Sequence, residues 1–152
     1  MNKKKLFFTV GSTYPLDRLI KQADELNTNK KYEVFAQIGE STFAPKNIKW
    51  TKFMDYEEMV KKIEWANIIV SHAGAGTIIE CISKNKKLIL FPRLKKYGEA
   101  VDDHQLEICK AFKEKYEINY FTGNDLKSVL EKKVGHINRK NSSLAKEIAK
   151  LL

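Results

Sequence analysis

Apolar residues in this chain gather in short runs that alternate with segments of helical spacing. Lys5-Leu-Phe-Phe-Thr-Val10 is a strand-length apolar run stopped by Gly11. After the turn Gly11-Ser12-Thr13, Pro15 suits a first helical position, and Leu16, Leu19, Ile20, Ala23 and Leu26 recur at helical intervals. Tyr32 to Ile38, stopped by Gly39, predicts a second strand, and Ile48 to Phe53 a third. Asp55 and Glu58 have the spacing of a capping box, which starts a helix whose buried face is Tyr56, Met59, Val60 and Ile63. Asn67 to Val70 predicts a fourth strand, running into His72-Ala-Gly-Ala-Gly-Thr77 and a short helix that lasts to about Ser83. Lys87 to Phe91, stopped by Pro92, is the fifth strand. A charged loop, Arg93 to Asp103, leads to a helix marked by Leu106, Cys109 and Phe112. Ile118 to Phe121 predicts a weaker sixth strand, and helices follow near Asp125 to Lys132 and Ser142 to Leu152.

Strands and helices thus alternate, and the strands are apolar without a clean two-residue period, as expected where both faces are covered. The pattern predicts an α/β, Rossmann-like, doubly wound sheet of about six mainly parallel strands. No repeat, low-complexity tract or linker divides it, so residues 1–152 read as a single domain.

Composition changes this picture little. Hydrophobic residues make up 43% of the chain and charged residues 31%, which supports a packed core and excludes a disordered chain. The net charge of +9 comes from lysine clusters such as Lys3 to Lys5, Lys30–Lys31, Lys86–Lys87, Lys95–Lys96 and Lys132–Lys133. A basic surface suits nucleic acid, an anionic membrane face or a phosphorylated small molecule, and equally a merely soluble exterior. No run approaches the roughly 20 apolar residues that span a bilayer. Leu6 to Val10 is too short for the apolar core of a secretory signal. Cys81 and Cys109 form no CxxC and fall in helical segments among apolar neighbours; buried, reduced thiols and a cytosolic compartment are expected.

Ligands of open α/β sheets bind beyond the carboxyl ends of the strands. Gly11-Ser12-Thr13, Gln37-Ile-Gly39 and Ser71 to Thr77 lie there. In the last stretch Gly74 and Gly76 let backbone come close to a ligand, Thr77 adds a hydroxyl, and a starting helix directs free N–H groups outward. This predicts a phosphate or diphosphate site, with neither a P-loop nor a GxGxxG pattern. Glu80, on the first turns of that helix, can accept two hydrogen bonds from a ribose diol, or simply complement the helix dipole. His72 ends the strand beside the glycines, and Asp102-Asp-His104-Gln105 sets polar groups where a later helix begins, one aspartate as its cap. His136, in a late loop, has no assigned role.

Taken together, His72-Ala-Gly-Ala-Gly-Thr-Ile-Ile-Glu80, Pro92-Arg93 and Glu99 through His104-Gln105 resemble the C-terminal domain of family 28 glycosyltransferases, one half of a GT-B fold. Phe8-Thr-Val-Gly-Ser-Thr13, Val34-Phe-Ala-Gln-Ile-Gly39 and Lys52-Phe-Met54 fit the same pattern. The likeness is greatest to a stand-alone group: the small catalytic subunits of two-component UDP-sugar transferases that act in dolichol-linked oligosaccharide, capsule and exopolysaccharide synthesis. The resemblance implies that backbone at Phe53 and Met54 reads uracil and that Glu80 holds the ribose. It implies that Gly11, Ser12, Thr13, His72, Gly74, Ala75, Gly76 and Thr77 hold the diphosphate, helped by the Arg93 cation. Gln37 and Gly39 line the same edge, and His104 and Gln105 contact the sugar. It also implies an inverting, metal-independent hexosyl transfer to a lipid-linked saccharide, with no cofactor and no nucleic acid. Two departures stand out: Asn85-Lys86-Lys87 replaces a frequent Gly-Lys-Pro turn, and Ala100 replaces a frequent polar residue, which touches sugar selectivity.

A single domain of this type holds the donor alone, so a membrane-anchored partner presenting the acceptor is expected, with the chain peripheral to the cytoplasmic membrane face. No residue stands out as the general base. Three alternatives remain: a non-catalytic UDP-sugar-binding regulatory subunit, a UDP-sugar 2-epimerase, and a nucleic-acid module suggested only by charge.

Overall fold

The computed structural model describes residues 2–132 and residue 150. The strands are β1 (Lys5–Thr9), β2 (Glu33–Gln37), β3 (Lys49–Thr51), β4 (Ile68–Ser71), β5 (Lys87–Leu90) and β6 (Asn119–Tyr120). They form one sheet in the order β3-β2-β1-β4-β5-β6, and every pairing is parallel. The helices are α1 (Asp17–Leu26), α2 (Tyr56–Trp65), α3 (Ala75–Ser83), α4 (His104–Tyr116) and α5 (Leu126–Glu131), with a 3-10 turn at Lys95–Tyr97. The fold is the expected α/β half of a GT-B architecture, and each strand lies within two residues of its predicted ends.

Alternation along β1 builds two cores. Leu6, Phe8 and Val10 face α1 and α5, meeting Leu19, Ile20, Ala23, Val129 and Leu130. Phe7 faces the other way, with Ile69 and Leu88, against Ile63 of α2, Ile78 and Cys81 of α3, and Cys109 and Phe112 of α4. All of β4 is buried, the reason its sequence is a continuous apolar run. Cys81 and Cys109 are free, buried thiols, and burial pushes both pKa values up to about 12.

The Asp55 capping box is present: Glu58 N donates to Asp55 Oδ1 at 2.8 Å, and Asp55 N donates to Glu58 Oε2 at 3.2 Å. Two local expectations need correction. Pro15 lies ahead of α1, which starts at Asp17, because Leu16 adopts a non-helical conformation. Tyr56 is 68% exposed instead of buried, since its ring leaves α2 for a partner on α3. At Asn85 the chain takes φ 53°, a left-handed turn that asparagine tolerates in place of the more usual glycine. The predicted helix at Ser142–Leu152, apart from residue 150, and His136 lie outside the described residues. Among the described residues no helix is long and apolar enough to cross a membrane.

Candidate functional site

The chain leaves β1 toward β2 and β3, but leaves β4 toward β5 and β6. The loops after these two central neighbours therefore part, and the crevice between them is where doubly wound sheets bind ligands. Gly11, Ser12 and Thr13 form one wall, and His72 to Thr77 the other.

The imidazole of His72 sits between the walls. A Cβ at Gly11 would lie 2.7 Å from His72 Nε2, and one at Gly74 would lie at the same distance from that nitrogen. Both glycines are thus required by the ring itself. Gly11 also has φ +75°, in the left-handed region where side chains are strained. Gly39, at φ +55°, backs directly onto the Gly11 carbonyl, so a Cβ there would collide with backbone.

Three predicted contacts turn out to be braces. Gln37 is buried: its Oε1 accepts from Thr9 Oγ1 at 2.7 Å, and its Nε2 donates to Gly11 O at 3.1 Å and Lys52 O at 2.8 Å. Arg93 is only 2% exposed, so it is no open cation in the crevice. Its guanidinium lies under the Gly11 loop and donates to Val10 O and, at 3.1 Å, to Pro15 O. Gln105 turns inward: its Oε1 accepts from Ala73 N at 3.2 Å and Arg93 N at 3.0 Å, tying the ends of β4 and β5 together. These polar groups are needed because loops leaving a sheet edge carry backbone donors and acceptors that burial would otherwise orphan. His104 is exposed, 3.6 Å from Glu107, and its N–H is capped by Asp102 Oδ1 at 3.0 Å.

The start of α3 is uncapped. Gly74 offers no side-chain bond, and the first helical hydrogen bond is Ile78 N to Gly74 O, so the N–H groups of Ala75, Gly76 and Thr77 precede the ladder. Ala75 and Gly76 are exposed. A Cβ at Gly76 would meet nothing, so no protein contact demands glycine there. Gly76→Ala is therefore expected to raise unfolding stability by about 0.5 kcal/mol, read by urea denaturation, because alanine suits a helix better than glycine.

Glu80 lies one helical turn along α3 from Thr77. Tyr56 Oη donates to its Oε1, and Lys84 Nζ lies 3.1 Å from Oε2. The Tyr56 hydrogen bond, helped by Lys84, holds the Glu80 carboxyl below the usual carboxylate range despite partial burial. Phe53 is exposed just before α2, and Met54 is half-buried, giving a shelf beside Tyr56. The sequence signal for Lys84 was its i+4 spacing from Glu80. Tyr56 carried none, since its spacing also fits the buried face of α2. Arg18 was missed too: it pairs with both Glu99 oxygens at 2.8 and 2.9 Å and stacks between Phe91 and Tyr97, anchoring the loop before α4.

Residues 5–151 match the model of the glycosyltransferase family 28 C-terminal domain. The UDP-N-acetylglucosamine transferase subunit ALG13 of Homo sapiens is 31% identical over 130 residues, covering 78% of this chain and 11% of that protein. The Candida albicans protein of the same name is 31% identical over 75% of this chain and 36% of its own length. This chain thus spans about a third or less of these relatives. An NMR structure of ALG13 superposes with a TM-score of 0.66 at 15% identity, over 97% of this chain and 95% of that one. The crystal structure of Acinetobacter baumannii MurG gives 0.59 at 22% identity, over 99% and 45%.

Proposed function

The chain belongs to glycosyltransferase family 28, as its C-terminal domain, and from that premise we propose that it is the donor-binding subunit of a UDP-sugar transferase. The observation that carries the reading is the convergence of three uncapped N–H groups, the His72 ring and the exposed Ser12–Thr13 turn on one crevice. Such a set of donors suits a diphosphate. Glu80 lies about one turn further along α3, within reach of a ribose, and backbone at Phe53 and Met54 would meet the uracil.

In this reading the sugar is a hexose, with N-acetylglucosamine favoured by the names of the relatives. The acceptor is a lipid-linked saccharide for glycolipid-oligosaccharide, capsule or exopolysaccharide synthesis. A membrane-anchored partner holds it in line with the anomeric carbon at the cytoplasmic face, because donor binding alone does not position a nucleophile. As the bond to the anomeric carbon breaks, negative charge grows on the diphosphate. The α3 amides and His72, fixed before the reaction, stabilise that charge without a metal ion. The acceptor proton leaves to a general base, a role for which no residue of this chain stands out.

Glu80→Gln should weaken UDP binding about 10- to 100-fold, as a charge-assisted pair of hydrogen bonds becomes neutral. Isothermal calorimetry checks it, and an unchanged affinity would remove Glu80 from the nucleotide site. Gly76→Ala, though more stable, should bind UDP about 10-fold more weakly, because a Cβ intrudes where the diphosphate lies. That opposition of stability and affinity separates a ligand-driven glycine from a packing one.

A further inference from the structure

Gln105 does more than join two strand ends. Its Oε1 accepts from two backbone N–H groups, those of Ala73 and Arg93. Turning the amide over would set an NH₂ group against both donors, so its orientation is fixed. The NH₂ then lies 3.4 Å from His72 Nδ1. An amide nitrogen has no lone pair to accept with. Nδ1 must therefore be the acceptor and carry no proton.

We propose that Gln105 is a positioning residue that holds His72 as the neutral tautomer with its proton on Nε2, so that the ring presents one N–H to the crevice. Nε2 occupies the space that Gly11 and Gly74 leave by lacking a Cβ. It is not among the buried polar atoms lacking a partner, a class that among the described residues contains only Arg93 Nε. The groups around the ring are the amide of Gln105 from α4, the backbone of Gly11 and Gly74, and the Arg93 charge from the loop after β5. Burial and that cation push the His72 pKa down to about 3, so the ring stays neutral at physiological pH. A neutral ring with the opposite tautomer would turn a lone pair toward an incoming anion, which repels it. The side chain α4 contributes thus decides whether His72 attracts or repels a phosphate. The inference rests on the proposed donor site for its meaning, but the tautomer can be read without any ligand.

The test is nitrogen NMR of the ¹⁵N-histidine-labelled chain, with no nucleotide present. The wild type should show His72 Nε2 protonated and Nδ1 bare, unchanged from pH 8 to pH 5. A protonated Nδ1, or a ring that titrates in that range, overturns the proposal. Gln105→Glu keeps an oxygen for the two backbone N–H groups but places a second acceptor at Nδ1. At pH 8 its carboxylate should draw the proton onto Nδ1, and a spectrum matching wild type would equally overturn the proposal. If the variant does not fold, the wild-type tautomer decides alone. UDP is then added to the wild type: an unmoved Nε2–H resonance, with the tautomer as stated, upholds Gln105's role and instead removes His72 from the diphosphate site.

Discussion

Arg93→Ala should lower the unfolding free energy by about 4 kcal/mol, read by urea denaturation with linear extrapolation. The side chain is among the largest fully buried ones. Its guanidinium bonds Val10 O and Pro15 O, so its loss leaves a cavity and two carbonyls without donors. The Arg93 backbone is itself tied to Gln105. Arg93→Met keeps most of the volume and loses only the donors, so its cost should be about 2 kcal/mol. Equal costs for the two variants would show that the lost donors alone are at stake, and a methionine variant as stable as wild type would show that packing alone is.

Gly74→Ala should cost about 3 kcal/mol by the same measurement. The added Cβ would enter the His72 ring, 2.7 Å from Nε2. The ring cannot retreat, because Gly11 backs it and Gln105 holds Nδ1. Either the imidazole turns out of the crevice or the start of α3 shifts, and both disturb the donors that the proposed diphosphate site uses. In a His72→Ala background the same glycine change should cost less than about 1 kcal/mol, because the three atoms nearest the added Cβ all belong to the ring. A full penalty in that background would mean that atoms other than the ring bar a Cβ at this position, since the backbone of Gly74 is extended.

Most of the fold could be read from the chain because its signals are local. The apolar runs at Leu6–Val10 and Ile68–Val70 end in small or polar residues, and the Asp55–Glu58 box marks where α2 begins. The location of the crevice followed as well, since a parallel alternation fixes which strand ends bind ligands. What could not be read were contacts between distant segments. Gln37, Arg93 and Gln105 look like polar residues free to meet a ligand, yet each is engaged by backbone and side-chain groups that only the folded loops bring near. Tyr56 fits the apolar spacing of α2, yet reaches across to Glu80. The site's glycines were ambiguous in the same way: Gly11 and Gly74 make room for a histidine, whereas Gly76 is left open.

The most direct test of the donor-site account is a calorimetric titration of the chain with UDP, set against ADP and GDP. The account predicts a single saturable site that prefers UDP and weakens in both Gly76→Ala and Glu80→Gln. No saturable heat with UDP, or equal affinity for all three nucleotides that neither substitution alters, would contradict it.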